Sequence, residues 1–264
     1  KTAQIVNSYE DKRIRYFLSD TFTGLGKARN LAIEKSTGKF IAFLDCDDLW
    51  LPTKLEKQIP LFQDPKVGLV FSDTIFFNKE GSEKQSYAKK KPPKGYVFSQ
   101  LFSEYFISLE TAIVRKEALY SLDHLFDERF QVVEEFDLFV RLSLSWKLDY
   151  VDEVLAKWRV HESSWTWSRE ELFPKEKRIM LEKYKASINH FEKEYKEEIV
   201  FFERSCTLDE VLLLWEGGKK KEARARLRPY LSYGPKWVLL YFLIFFSKKL
   251  YNFLQKVRGN VTPQ

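Results

Sequence analysis

Short apolar runs alternate with helical patterns along about the first 165 residues, and this alternation limits the possible folds more than any other feature. The runs RIRYFL, FIAFL and VGLVFSDTIFF have the length of β-strands, and GLGKARNLAIEKSTG and LPTKLEKQIPLF, which lie between them, read as helices. Strands that alternate with helices are typical of an α/β fold. We therefore predict an α/β domain over residues 1–168 and a helical C-terminal region over residues 169–264.

An acidic cluster follows one of these runs directly. FIAFL is short and unbroken, which predicts a central strand buried on both faces, and Asp45, Cys46, Asp47 and Asp48 come next. Carboxylates at the end of a buried strand repel one another and lose hydration, so a divalent cation is their natural partner. Hard oxygen ligands favour Mg²⁺ or Mn²⁺, which in turn bind phosphate oxygens. The alternative is a solvated loop in which Asp48 caps the next helix.

A second segment, TGLGKARN, lies upstream and contains Gly24, Gly26, Lys27 and Arg29. Glycine lets the backbone approach a ligand closely, and the two cations could meet its phosphates. Alone, this segment indicates only a loop that enters a helix. Because Asp45 follows Arg29 by sixteen residues, the two segments together predict a nucleotide site, with Gly24 and Arg29 as donor-binding candidates.

Composition excludes several classes of protein. The 264 residues are 44% hydrophobic and 16% aromatic, which is enough apolar material for a large core and excludes a disordered chain. Only two cysteines are present, Cys46 and Cys206, and they lie 160 positions apart. They form neither a disulfide framework nor a zinc knuckle, so a reducing compartment is expected.

Positive charge is concentrated at the C-terminal end. Residues 217–264 contain eleven Lys and Arg and one Glu, a net +10, whereas the whole chain carries +6. A basic tail on a mildly acidic body argues against a nucleic-acid partner and for an anionic surface such as a membrane. The apolar run Trp237–Phe246 spans about 15 Å as a helix, too short for a bilayer core of about 30 Å. We therefore predict peripheral membrane contact through residues 217–258, including Lys248 and Lys249; the alternative is packing on the domain or on another subunit.

Several motifs occur in an order that resembles one known family. ARNLAIEKSTGKFIAFLDCDDLWLPTKLEKQI spans residues 28–59, and VGLVFSD, TAIVRKEAL, FDERF, EEFDLFVRL and WRVHESS follow it. The series is similar to the family 2 glycosyltransferases, an inverting group with the GT-A fold, a Rossmann-like nucleotide-sugar domain. The resemblance covers about residues 1–165. Since nothing here resembles the family's opening strands, we expect the sequence to lack about the first 50 residues of such a domain.

The resemblance implies roles for four residues. Asp45 would contact the nucleotide ribose or the metal, and Asp47 would bind the Mg²⁺ or Mn²⁺ ion that bridges the diphosphate. Glu135 in EEFDLFVRL would be the general base, although the family usually has Asp there. His161 in WRVHESS would contact the metal or the diphosphate. Taken alone, acids also suit a helix N-terminus, and a lone histidine is more often a hydrogen-bonded structural residue.

These roles predict a metal-dependent inverting glycosyltransferase that moves a sugar from a nucleotide diphosphate sugar to a hydroxyl of a glycan or lipid-linked acceptor, in polysaccharide or glycan synthesis at the cell surface. We expect it to be cytoplasmic and peripheral at the inner face of the membrane. Two alternatives stay open. One is a haloacid-dehalogenase-like phosphatase with Asp45 as nucleophile and Asp47 as acid/base, although Leu49 stands where that motif has Thr or Val. The other is an inactive remnant or binding module.

Overall fold

The structure, a computed structural model, describes residues 1–246 except for the side chain of Trp167. Its strands are β1 (Phe40–Ala42), β2 (Leu49–Trp50), β3 (Val67–Phe77), β4 (Glu83–Gln85), β5 (Ile113–Arg115) and β6 (Lys147–Arg159). Its α-helices are α1 (Thr2–Asn7), α2 (Leu25–Lys35), α3 (Lys54–Gln58), α4 (Phe98–Ser103), α5 (Lys116–Tyr120), α6 (Glu134–Ser143), α7 (Trp165–Ser168), α8 (Phe173–Ser187), α9 (Phe191–Glu194), α10 (Lys196–Glu216), α11 (Lys220–Leu227) and α12 (Pro235–Leu243). Short 3-10 helices span Ile59–Gln63, Leu109–Thr111, Glu170–Leu172 and Arg228–Tyr233.

The strands form one mixed sheet. They lie in the order β1, β5, β3, β6, β2, and β4 pairs with the end of β3. The long strands β3 and β6 are parallel, whereas the other pairs are antiparallel. The predicted α/β class with a helical C-terminal part is confirmed.

Two strand predictions are wrong for the described residues. Among the described strands, β1 pairs with β5 alone and lies at the edge of the sheet, so FIAFL is not its central strand. The central strand is β3, which lies between β5 and β6. Its first eight residues are all buried. RIRYFL forms no strand, and Phe17 and Leu18 are exposed. A strand needs a neighbour for its backbone hydrogen bonds, and this run pairs with no other described segment.

The core of the sheet continues into the C-terminal helices. Phe71 on β3, Phe139 on α6, Tyr184 on α8 and Phe202 on α10 belong to one buried cluster. A second cluster joins the later half of α10 to α11 and α12 through Trp215, among others. Helices α8 and α10 therefore form a continuous scaffold from the sheet to α12. The domain boundary at residue 168 stays a prediction.

Helix α6 shows how local sequence fixes an element that positions the site. Acids occupy its first turn, where the helix dipole favours them, and apolar side chains such as Leu138 and Phe139 face the core. Asp137 and Arg141, four residues apart on this helix, form an ion pair with 2.9 Å between Oδ2 and Nε. Both side chains are buried, so this pair also anchors α6 within the core.

Within residues 1–246, no helix has the length and apolar character needed to cross a bilayer. The apolar run predicted to contact a membrane lies in α12 and the turn after it. The later part of that prediction, including Lys248 and Lys249, lies outside the described residues.

Candidate active site

The acidic cluster occupies the loop between β1 and β2, and this loop is tied to the end of β6. Oδ2 of Asp47 lies 2.8 Å from Nε2 of His161, which follows β6 by two residues. Nδ1 of the same ring lies 2.9 Å from Oγ of Ser163. Nε of Arg159 donates to the backbone oxygen of Asp47 at 2.9 Å. The fold thus brings together two predicted ligands that are 114 residues apart.

The pair of Asp47 and His161 fits a divalent cation. Their side chains are 33% and 32% exposed, so a ligand can reach both. Their facing atoms are 2.8 Å apart, close to the roughly 3 Å that separates neighbouring ligands of an octahedral ion with metal bonds of about 2.1 Å. Oxygen and imidazole nitrogen together suit Mn²⁺ better than Mg²⁺, which prefers oxygen ligands. Asp45, on the same loop, is half exposed and could supply a further oxygen.

Asp48 has a different position from its two neighbours. It is buried, and its Oδ1 accepts a hydrogen bond of 2.8 Å from the backbone N–H of Arg159. It does not cap the next helix, because α3 begins after Thr53 and has no side-chain cap. Burial raises the pKa of Asp48 to about 8. Asp48 therefore joins the acidic loop to β6, and Asp45 and Asp47 remain the accessible acids.

Arg29 on α2 is held by carboxylates of the protein. Its Nη1 donates to Oε1 of Glu134 at 2.7 Å, and its Nη2 lies 3.2 Å from both carboxylate oxygens of Asp45. Its side chain is only 12% exposed. Burial alone would lower the pKa of Arg29, and the surrounding carboxylates outweigh that effect. In this arrangement Arg29 links the acidic loop to α6, and its predicted contact with the nucleotide stays a prediction.

The two acids that begin α6 face different surroundings. Glu134 is buried against Arg29, and its second carboxylate oxygen has no hydrogen-bond partner among the described residues. Glu135 is a quarter exposed and lines a cavity, where the hydroxyl of Tyr105 lies 3.4 Å from its Oε1. Burial raises the pKa of Glu135 to about 8, Arg29 counteracts this rise, and the charge of Glu134 adds to it. Glu135 is thus the acid of this pair that a substrate can reach.

A single cavity of about 870 Å³ joins most of these groups. Arg29, Asp45, Asp47 and Glu135 all line it, and His161 adjoins it through its contact with Asp47. Gly24 does not line it. This glycine precedes α2 with an ordinary φ of −64°, and a Cβ built there meets nothing within 4 Å. The geometry therefore gives no steric reason for glycine at position 24.

His124, Asp127 and Asp137 form a second group of potential metal ligands. The ammonium group of Lys183 already occupies the position between them. Nζ of Lys183 lies 3.2 Å from His124 Nε2, 3.0 Å from Asp127 Oδ2 and 2.7 Å from Asp137 Oδ1. Both acids are buried, and the side chain of the lysine is 12% exposed. An ammonium group in contact with all three ligands satisfies their charge, so this cluster anchors α8 to α6.

Other residues of the cavity carry no signal in the sequence. Tyr105 comes from the segment after α4, Trp165 from α7, and Arg204 and Trp237 from α10 and α12. Tyr105, Trp165 and Arg204 belong to no motif, and Trp237 is predicted only as the first residue of the apolar run at the membrane, not as a residue of the site. Only the tertiary packing of the C-terminal helices brings them to the same cavity as the acids.

A family model described as "Glycosyl transferase family 2" matches residues 1–122. An "Uncharacterized glycosyltransferase MJ1057" of Methanocaldococcus jannaschii is 30% identical over 168 residues, which are 61% of this chain and 56% of the relative. The "UDP-Glc:alpha-D-GlcNAc-diphosphoundecaprenol beta-1,3-glucosyltransferase WfgD" of Escherichia coli is 34% identical over 73 residues, 28% of this chain and 29% of the relative. The chain thus spans about half, or less, of the length of these curated relatives.

Solved structures show the same fold. TarS residues 1–349 of S. aureus in complex with UDP-GlcNAc gives a TM-score of 0.59 at 22% identity, over 76% of this chain and 58% of that chain. The mannosyltransferase PcManGT of Pyrobaculum calidifontis in complex with GDP-Man and Mn²⁺ gives a TM-score of 0.56 at 14% identity, over 90% and 64%. These likenesses confirm the predicted GT-A-type α/β fold.

Proposed function

Because residues 1–122 of this chain belong to glycosyl transferase family 2, we propose that the protein is a metal-dependent inverting glycosyltransferase that uses a nucleotide diphosphate sugar. The observation that carries this proposal is the cavity that joins Asp47, which contacts His161, to Glu135. Side chains from three distant parts of the sequence meet there, Asp47 and His161 as a pair suited to a cation and Glu135 as an acid suited to proton transfer. Relatives that act on sugars give further support.

In the proposed reaction, Asp47 and His161 would hold a divalent cation, Mn²⁺ or Mg²⁺, and Asp45 would contact the donor. When bound, the cation neutralises charge on the diphosphate that leaves. Glu135 takes the proton from the acceptor hydroxyl, whose oxygen forms a bond to the anomeric carbon. The bond from that carbon to the diphosphate oxygen breaks, and its electron pair stays with the diphosphate. One direct displacement inverts the anomeric centre, without a covalent enzyme intermediate.

Product analysis tests this proposal against its alternatives. With Mn²⁺ and either UDP-glucose or GDP-mannose, the protein should release nucleoside diphosphate, slowly even when water is the acceptor, and EDTA should stop the release. Release of inorganic phosphate from p-nitrophenyl phosphate, without nucleoside diphosphate from any donor, would instead indicate the phosphatase. A chain that forms neither product would contradict both enzymes and favour a binding module.

We propose a glycan or lipid-linked acceptor in polysaccharide synthesis. The relative from Escherichia coli is named for an acceptor in which a sugar is joined to diphosphoundecaprenol, and this supports an acceptor that is anchored in a membrane. We further propose that residues 1–168 form the catalytic domain and that residues 169–264 serve acceptor and membrane contact. On this proposal the protein works in the cytoplasm at the inner face of the membrane.

Support for membrane contact comes from the outer face of α12 and the turn after it. Val238, Leu239, Phe242, Phe245 and Phe246 are each between 38% and 58% exposed. Their spacing places them on one side of the segment, opposite the buried Leu240 and Ile244. Basic side chains such as Arg224, whose guanidinium lies 4.0 Å from the centre of the Phe245 ring, flank this apolar face. An apolar stripe bordered by cations is typical of a helix that lies in the headgroup region.

Vesicle sedimentation checks the membrane proposal. Changing both Phe242 and Phe245 to Asp should weaken binding to phosphatidylglycerol vesicles at least tenfold, since two half-exposed aromatic rings would no longer enter the bilayer surface. Leu55→Asp, at an exposed leucine on α3, should bind like the unmodified chain. Binding should also fall at high salt. If the double variant sediments like the unmodified chain, α12 packs against another protein surface instead.

A further inference from the structure

The charged residues that line the cavity of the proposed reaction centre divide into two sets by the part of the chain that supplies them, and we call these sets the acidic wall and the basic wall. The acidic residues of the cavity come from the part of the chain before α6 or from the first turn of α6 itself. Apart from Arg29, the lining cations among residues 1–246 come from the C-terminal helices, namely Lys177 on α8, Arg204 on α10 and Lys236 on α12. The acidic wall binds a diphosphate only through a cation, whereas the basic wall can bind an anion directly.

Two of these three cations have no counter-charge within residues 1–246. Lys177 is satisfied, because its Nζ lies 2.7 Å from Oδ2 of Asp209. Arg204 and Lys236 form no ion pair with any described residue. The guanidinium of Arg204 lies 3.5 Å from the centre of the Tyr233 ring, and its Nε is buried without a hydrogen-bond partner among the described residues. An arginine whose charge is not neutralised by a described carboxylate can pair with an anion that enters the cavity.

Aromatic side chains complete this wall. Nε1 of Trp165 donates to the backbone oxygen of Gln131 at 2.7 Å, and the guanidinium of Arg169 lies 3.8 Å from its ring centre. Trp237 stacks on Tyr230, with 5.5 Å between the ring centres. Both indoles line the cavity and are fixed by these contacts. Rigid aromatic surfaces beside a few polar groups suit the apolar face of a sugar ring.

The basic wall is also continuous with the apolar stripe on α12. Lys236 and Trp237, in the first turn of this helix, line the cavity, and the exposed side chains from Val238 to Phe246 follow directly. A molecule anchored in a membrane under α12 could therefore extend its headgroup past Lys236 into the cavity. The distance along one helical turn is only about 5 Å.

From these observations we propose that Arg204 and Lys236 bind a phosphate or diphosphate group of a lipid-linked acceptor, with Trp165 and Trp237 beside its sugar. This anion site is separate from the donor diphosphate, which the acidic wall takes through a cation. The proposal rests on the proposed glycosyltransferase function, because an acceptor must reach Glu135 only if the protein transfers a sugar. Beyond that function, the proposal states that the acceptor is negatively charged and names the residues that bind it.

Binding of inorganic diphosphate in EDTA tests the site without any contribution from a metal. The unmodified chain should bind it by isothermal titration calorimetry, and R204Q/K236Q should bind it at least tenfold more weakly, since two charge-assisted contacts are lost. The matched control K221Q/R228Q removes the same charge from exposed positions outside the cavity and should change affinity less than twofold. Equal affinity of R204Q/K236Q and the unmodified chain, or no binding by either, would overturn the proposal.

A second measurement, of nucleotide binding, distinguishes an acceptor site from a donor site. Mn²⁺-dependent binding of UDP and of GDP should stay within twofold in R204Q/K236Q. If nucleotide affinity falls as much as diphosphate affinity, the two cations serve the donor and the acceptor assignment is wrong. If the unmodified chain binds neither nucleotide, the proposed function fails, and the measurement in EDTA still decides whether the anion site exists.

A third arm distinguishes a lipid-linked headgroup from ordinary anionic lipid. Phosphatidylcholine vesicles that contain a small fraction of a polyprenyl diphosphate should bind R204Q/K236Q at least tenfold more weakly than the unmodified chain. Phosphatidylglycerol vesicles should bind both proteins alike, because their charge meets the exposed basic residues outside the cavity. An equal loss with both vesicles would show that Arg204 and Lys236 contact the bilayer surface, and would overturn the proposal.

Discussion

Asp47→Asn is expected to abolish Mn²⁺-dependent turnover of a nucleotide sugar, with a loss of about 10³-fold or more in kcat. The variant keeps the shape of the side chain but removes the negative charge that would hold the cation beside His161, and loss of several kcal/mol of charge stabilisation corresponds to this factor. The fold should persist, because Asp47 is one-third exposed and Arg159 contacts its backbone oxygen rather than its carboxylate.

Mn²⁺ binding followed by electron paramagnetic resonance provides a readout independent of turnover. Asp47→Asn should bind the ion more weakly, and His161→Gln should show a smaller loss because an amide oxygen can still serve as a ligand. Asp152→Asn is the matched control, since this exposed acid on β6 pairs with Lys91 outside the cavity. Turnover and Mn²⁺ affinity in Asp47→Asn equal to those of the control would show that Asp47 does not hold the metal.

Local patterns predicted the parts of the fold that depend on local physics. The helical spacing around Arg29 predicted α2, the long apolar run from Val67 predicted β3, and the acids before Phe136 predicted the start of α6. The position of β1 could not be predicted in this way. Whether a short apolar strand lies at the centre or the edge of a sheet depends on which segments pair with it, and FIAFL contains no information about its neighbours.

The same limit applies to the candidate site. The resemblance to a family indicated that Asp47 and His161 belong together, and they lie in contact. Sequence could not show that the guanidinium of Arg29 binds Glu134 and Asp45, because a basic residue near a glycine-rich turn suits a phosphate equally well. Nor could it bring Arg204 into the cavity, since that contact depends on how α10 packs against α6 and α8. Long-range packing decides which charges remain free.

A second large loss of activity is expected when Glu135 is changed, and it should be accompanied by a change in the pH dependence of kcat/KM. If Glu135 is the base, kcat/KM should rise with pH up to about 8, because burial raises the pKa of Glu135 to about 8. Only the deprotonated carboxylate can take the proton from the hydroxyl of the acceptor. Glu135→Gln should lower kcat by about 10²- to 10⁴-fold and make this limb of the pH profile flat. Affinity for the Mn²⁺–nucleotide complex should stay the same, and Glu135→Asp should keep part of the activity.

Stability gives an independent check on the same carboxyl group. A carboxyl group whose pKa is higher in the folded than in the unfolded chain binds more protons when folded, so the free energy of unfolding falls as pH rises between the two pKa values. For Glu135 this interval extends from its ordinary value of 4.5 to about 8. Glu135→Gln removes this penalty. Its Tm, relative to that of the unmodified chain, should therefore rise steadily from pH 5 to pH 8.

The variant Glu134→Gln distinguishes the roles of the two neighbouring acids, Glu134 and Glu135. Glu134 is 4% exposed and lies 2.7 Å from Arg29, so this change weakens a buried ion pair and should lower the Tm. The pH profile of kcat/KM should keep its rising limb, because Glu135 still carries the titrating carboxyl group, but the limb should move to lower pH, since the charge of Glu134 no longer raises the pKa of Glu135. If instead Glu135→Gln keeps full activity and the pH profile of kcat/KM becomes flat in Glu134→Gln, Glu134 is the general base. A buried acid bound to arginine would then have to become exposed before the acceptor could reach it.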